Sequence, residues 1–197
     1  MYTYKIEQAI KAASLLHQGQ LRKGSLGLPY ITHLMAVTLI LRDYTEDEDT
    51  LVAAILHDTV EDTDYTIDEL KEDFGGKVAE IVASLSEPRE KNGERLSWIE
   101  RKRVYASQLK NGPMEAVMIA AADKAHNFRS MVEDYYSDHI GFIRDFGINL
   151  DERIEAYQNI SNSINNKLSD GIVHEFNHTF LEYKKFILNV KANTEKI

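Results

Sequence analysis

Residues 52–63, VAAILHDTVEDT, run from five apolar side chains straight into His57, Asp58, Glu61 and Asp62. A surface loop does not need the apolar lead-in, and a core helix does not want the charges. Working outward from this stretch, the apolar spacing is helical almost everywhere. Ile6, Ala9, Ile10, Ala13 and Leu16 follow the three-and-four rhythm of an amphipathic helix that ends near Gly19. A polar, glycine-containing loop, LRKGSLGLPY, precedes a second helix that starts near Thr32 and carries LMAVTLIL. Thr45 and Glu48 stand in capping-box spacing before the apolar residues 51–56. Thr66 and Glu69 do the same before a short helix ending at Phe74-Gly75-Gly76. Ser97 and Glu100 open another helix, which Asn111-Gly112 stops. Pro113 suits the first turn of a long helix through about Tyr136. Two more helices are expected, from Leu150 to about Asp170 and from Ile172 to Val190. No alternating run bounded by turns reads as a strand, and no internal repeat or low-complexity segment is present. The expected fold is all-α.

The 197 residues are enough for one domain with a real core, and 43% hydrophobic with 28% charged is ordinary globular composition. With no cysteine, neither a disulfide nor a thiolate metal site can exist, which fits a reducing cytoplasm. The amino-terminal MYTYKIEQAI lacks a signal-peptide pattern, and no apolar run reaches membrane-spanning length, so no membrane partner is expected. A formal charge of −9 argues against a nucleic-acid surface. A local cluster such as Arg22-Lys23 can still receive a phosphorylated small molecule.

A second polar interruption lies in residues 117–130. Asp123 sits in the apolar run VMIAAADKAHN, where an unpaired aspartate is costly unless it is hydrogen-bonded or binds a cation. Asp123, His126, Asn127 and Ser130 lie at i, i+3, i+4 and i+7, so they share one helix face, which lines a cavity. His57-Asp58 ends an apolar helix, and both can reach one ion if the helix unwinds there. Glu61 and Asp62, three and four residues further on, stay near Asp58 if the turn continues. His33 opens the helix after PYIT. Together His33, His57, Asp58 and Asp123 form a two-histidine, two-carboxylate set, suited to Mn, Fe or Zn rather than a soft metal.

In their order and spacing RKGSLGLPYITH, LHDTVEDT and ADKAHN resemble the HD-domain phosphohydrolases. Within them they are most similar to the (p)ppGpp hydrolases: the hydrolase half of the RelA/SpoT proteins and the small stand-alone alarmone hydrolases. The resemblance runs from about residue 4 to about 136. It implies an HD-domain helical bundle over 1–136, with 137–197 a C-terminal helical extension packed on it. It also implies one Mn²⁺ on His33, His57, Asp58 and Asp123, with Fe²⁺ or Zn²⁺ as alternatives, and Glu61 and Asp62 as the acid/base pair beside it. Arg22 and Lys23 would meet the phosphates or base, and Asn127 and Ser130 the nucleotide. Ser130 stands where threonine is expected and keeps the hydroxyl; Leu34 stands where a proline often follows the first histidine. The implied activity is metal-dependent removal of the 3′-pyrophosphate of (p)ppGpp, by a stand-alone hydrolase, since 197 residues leave no room for a synthetase domain. The alternatives are another nucleotide substrate, or a nucleotide-binding module without turnover.

Other motifs compete. His174-Glu175-Phe176-Asn177-His178 matches the H-E-x-x-H zinc signature, but no third ligand stands out: Glu182 is too close and Glu195 lies in the polar tail. Solvent-facing histidines on an amphipathic helix are the expectation. Thr45-Glu46-Asp47-Glu48-Asp49 lacks the glycine hinge and distal glutamate of a calcium loop and reads as an acidic first helix turn. Arg101-Lys102-Arg103 reads as a solvated face that could help attract an anion. Trp98, Tyr135, Tyr136, Met114, Met118 and Met131 read as packing residues. The apolar C-terminal helix, with Phe180, Tyr183, Phe186 and Ile187, could cap its own core or pair with a second copy.

Overall fold

The computed structural model describes residues 2–24, 27–91, 93–146 and 149–194. Ser25 and Leu26 of the glycine loop, and Glu195 of the tail, lie outside them. At the centre is helix α3 (Glu48–Leu56), whose residues from Thr50 to Leu56 are all buried. A helix apolar on every side must be enclosed. Around it pack α1 (Tyr4–Leu16), α2 (Ile31–Arg42) and α6 (Gly76–Leu85), and the long α8 (Met114–Ser137) closes the other side. These ranges match the expected all-α bundle. The capping boxes at Thr66 and Ser97 both form, opening α5 (Ile67–Phe74) and α7 (Trp98–Asn111).

The third cap differs from expectation. Thr45 Oγ accepts from the Asp47 N–H instead, and Asp47 becomes the N-cap, taking the Thr50 N–H at 2.9 Å and its hydroxyl at 2.6 Å. Aspartate caps somewhat better than threonine. The later start also lets Asp47 and Asp49 pair with Lys77 and Lys5. Besides the short helical turn at Thr59–Asp62, two helices escape the sequence reading. α6 begins directly at Gly76, because Gly75, at φ 94°, ends α5 and turns the chain at once into the next helix. α9 (His139–Phe146) starts where Asp138 accepts from the Gly141 N–H. A small antiparallel hairpin, β1 (Glu90–Lys91) with β2 (Glu94–Arg95), is too short for alternation to reveal.

The C-terminal pair α10 (Leu150–Lys167) and α11 (Ile172–Thr194) pack along α7 and α8 respectively. The seam is aromatic. Phe128 of α8 stacks on Tyr183 at 4.5 Å and meets Tyr157 edge-on at 5.0 Å, with Phe176 and Phe180 beside it. Tyr183 and Ile187 are buried there, so α11 caps the chain's own core. Trp98, Tyr135, Met118 and Met131 pack against the core as expected. Tyr136 and Met114 do not: they sit at the two ends of α8 and are largely exposed.

The break that matters for the site falls between α3 and α4 (Thr59–Asp62). Helical hydrogen bonding stops at Leu56, and the Thr59 hydroxyl caps its carbonyl at 2.6 Å. Truncating the aromatic seam should be costly: Phe128→Ala is expected to lower unfolding free energy by about 3–5 kcal/mol. Tyr136→Ala should change it by no more than about 0.5 kcal/mol. Urea titration of the two variants side by side checks this.

Candidate metal centre and nucleotide cavity

Three elements deliver four donor side chains to one point. His33 comes from the first turn of α2, His57 and Asp58 from the α3–α4 break, and Asp123 from the middle of α8. His33 Nε2 lies 3.2 Å from Asp123 Oδ1 and 3.6 Å from Asp58 Oδ2. His57 Nε2 lies 3.3 Å from Asp58 Oδ2 and 4.0 Å from Asp123 Oδ1. Ligand atoms of His33, His57 and Asp58 all fall within 4.8 Å of one another, the spacing of groups around a shared ion. The helix break is what allows consecutive residues 57 and 58 to point the same way.

The residues fit a divalent metal on an observation independent of those distances. His57 Nδ1 lies 2.7 Å from the Ala54 carbonyl, which can only accept, so Nδ1 carries the proton. In the neutral ring Nε2 is then a bare lone pair, and it is buried without a hydrogen-bond partner. An orphaned buried imidazole nitrogen aimed between two carboxylates is costly unless a cation receives it.

Burial opposes ionisation of both carboxylates, and their neighbours overcome it. His57 and His33 hold Asp58 below its ordinary range, and the Tyr30 hydroxyl donates to its Oδ2 at 2.6 Å. Lys124, then His33, hold Asp123 well below the usual carboxylate range. Lys124 Nζ is 2.6 Å from Asp123 Oδ2, over the Tyr105 ring, and Asn127 donates to Oδ1. Burial lowers His33, so it is neutral near pH 7, as a metal ligand must be.

The acid pair follows on α4. Burial first, then Glu87 and Asp58, push the Glu61 carboxyl up to about 7. Its Oε2 accepts from the Glu87 N–H at 3.2 Å. Burial and Asp58 also raise Asp62. Asp62 lines a cavity of about 540 Å³ together with Arg22, Lys23, Tyr30, Lys102 and Ser130. Asn127 shares that wall, with both ends of its amide engaged: it accepts from Arg22 at 2.7 Å while donating to Asp123. A second hollow of about 430 Å³ shares Arg22, Lys23 and Ser130 and adds Thr32 and His126.

All ten residues singled out in the sequence thus gather in one region. Others were missed. Lys102, expected on a solvated face, is mostly buried, is ion-paired with Glu87 and lines the larger cavity. Its place four residues after Trp98 and three before Tyr105, on the inward stripe of α7, is the signal that could have found it. Tyr30, Glu87 and Lys124 carried no distinguishing pattern, and His126, which the i+3 spacing placed on the polar face with Asp123, was given no role. The H-E-x-x-H helix builds no centre. His174 and His178 are 72% and 70% exposed and pair with Asp170 and Glu182, while Glu175 holds Arg129 and the Tyr44 hydroxyl.

Comparison with known proteins agrees with this geometry. A family model described as an HD domain matches residues 9–139. The chain belongs to the HD-domain family. It is 36% identical over 126 residues to the human protein MESH1, named a guanosine-3′,5′-bis(diphosphate) 3′-pyrophosphohydrolase, a match covering 63% of this chain and 68% of that one. It is 39% identical over 128 residues to a GTP pyrophosphokinase of Streptomyces coelicolor, covering 64% of this chain but 15% of that relative's length. The fold is similar to that of a metazoan ortholog of SpoT, with a TM-score of 0.75 at 23% identity, over 92% of this chain and 97% of that one. Among the described residues, no helix is long and apolar enough to cross a membrane.

Two substitutions separate the competing motifs. His57→Ala should abolish stoichiometric Mn²⁺ binding, and His174→Ala should leave it intact. Metal content after gel filtration, measured by elemental analysis, reads both.

Proposed function

We propose that the chain is a metal-dependent hydrolase that removes the 3′-pyrophosphate of (p)ppGpp, giving GDP or GTP and pyrophosphate. The observation that carries this is the junction of the convergent donor set His33, His57, Asp58 and Asp123 with the Glu61-Asp62 pair, beside a cavity lined in part by cationic side chains. The kinship with MESH1 supports the same substrate. Held by His33, His57, Asp58 and Asp123, a divalent metal, taken to be Mn²⁺, would supply positive charge for the phosphoryl oxygens and lower the pKa of water.

The protein's own groups divide the remaining work. Glu61, with a pKa of about 7, is the base that takes the proton from water, because a base poised near the working pH is the most effective. Asp62, at the cavity edge, orients that water. Arg22 and Lys23 hold the substrate's phosphates, and Ser130, on the wall of both hollows, offers a hydroxyl to the nucleotide. Asn127 works through Arg22, fixing the guanidinium at the rim. The cysteine-free sequence fits action in the reducing cytoplasm.

Incubating Mn²⁺-loaded protein with ppGpp and separating the products tests the assignment. GDP and pyrophosphate are expected, and neither should form with Asp58→Ala or after chelation. Metal-loaded protein that binds ppGpp and releases nothing over hours would instead be a binding module. Turnover of some other nucleotide in its place would move the substrate.

The pH profile tests the base. A carboxyl raised to about 7 is protonated below that pH and becomes competent above it, so kcat/KM should rise through the neutral range. Glu61→Gln should lose that limb and about 10²-fold or more in rate.

A further inference from the structure

The two histidines of the donor set are held differently from behind. His57 rests on a backbone carbonyl, which accepts and does nothing else. His33 rests on a second histidine: its Nδ1 lies 2.9 Å from Nδ1 of His126, with the rings 4.8 Å apart and tilted by 51°. His126 is one turn along α8 from Asp123 and half-buried, with its ring on the wall of the smaller hollow.

A contact between two Nδ1 atoms at hydrogen-bond distance requires one to carry a proton and the other to be bare. To serve a metal, His33 must present a lone pair at Nε2, so its proton sits on Nδ1 and His126 Nδ1 must accept. When His33 instead donates from Nε2 to Asp123 Oδ1, 3.2 Å away, its Nδ1 is bare and His126 must donate. A carbonyl could satisfy only the first arrangement and a lysine only the second. A neutral imidazole satisfies both, because its two nitrogens exchange roles with the tautomer.

We propose that His126 is a positioning residue for the metal centre: it fixes the His33 ring through Nδ1 and matches whichever tautomer His33 adopts. This rests on the metal-centre reading above and adds a residue that it does not contain. His126 does not touch the shared point of the four donors; its effect passes through His33. Outer partners of ligand histidines commonly carry a tenfold to hundredfold share of metal affinity.

The test is competition for Mn²⁺ against a chromophoric chelator, with thermal unfolding of the metal-free proteins alongside. His126→Leu, which keeps bulk but offers no hydrogen bond, is expected to bind Mn²⁺ about 10–100-fold more weakly. His126→Asn places an amide, able to donate or accept, near the position of Nδ1, and is expected to stay within a few-fold of the parent. A leucine variant that is folded and binds like the parent overturns the proposal. So does an asparagine variant as weak as leucine, since ring volume rather than the hydrogen bond would then be at work. If the leucine variant does not fold, the asparagine variant decides alone: a loss approaching hundredfold overturns the role, and near-parental binding supports it. A parent chain that binds no divalent metal overturns the centre itself, a result distinct from loss of the His126 effect alone.

Discussion

Four donor groups inside an apolar bundle are the constraint on which the rest of this structure depends. Burial alone would drive Asp58 and Asp123 to their neutral forms. They stay ionised because the surroundings are arranged to keep them so: His57, His33 and then the Tyr30 hydroxyl on Asp58, and Lys124 and then His33 on Asp123, whose Oδ1 also accepts from Asn127. Each of these partners must itself be supported in the interior. Lys124 lies over Tyr105, Asn127 is held by Arg22, and Tyr30 is stacked on His17 at 4.8 Å. A polar network in a low-dielectric interior is stable only when it is satisfied throughout. At its centre the His57 Nε2 is buried without a hydrogen-bond partner in the protein, as is the His17 Nε2 at its edge.

The fold serves that network by holding three elements in register. α3 is enclosed so that its C-terminal break, and with it His57 and Asp58, has nowhere to shift. α8 carries Asp123 on one face and Phe128, five residues on, against the aromatic seam of α10 and α11. The two C-terminal helices therefore do more than cover apolar surface: they clamp the helix that supplies the fourth donor. Their packing also supplies Tyr157 to the wall of the larger cavity.

The cavity's polarity runs against that of the molecule. A chain of net charge −9 gathers Arg22, Lys23, Lys102 and Lys124 around one hollow, against Asp62 and Asp134 on the same wall. Lys102 and Lys124 are each committed to a carboxylate, Glu87 and Asp123, so the field they present is moderated. Glu87 in turn faces Glu61 and helps to raise its pKa. A cation that anchors the wall of the cavity is thus connected through one buried carboxylate to the group proposed as the base.

The sequence by itself determined the helical class and most helix starts, and it pointed to ten residues that the structure brings into one region. These rest on local physics: apolar spacing, caps such as Thr66 and Ser97, and polar residues stranded in apolar helices at 57, 58 and 123. Where local rules competed they misled. The Gly75-Gly76 pair read as a stop, yet the same backbone freedom opens a new helix, and Thr45 lost its cap role to Asp47 because Lys77 and Lys5 await the acids of a later start. Only the tertiary structure decided what depends on residues far apart in sequence. It buried Lys102 against Glu87, turned the Asn127 amide between Arg22 and Asp123, and set His126 behind His33, 93 positions away. A helix pattern specifies which face turns inward, but the partner that face meets is set by how the helices pack.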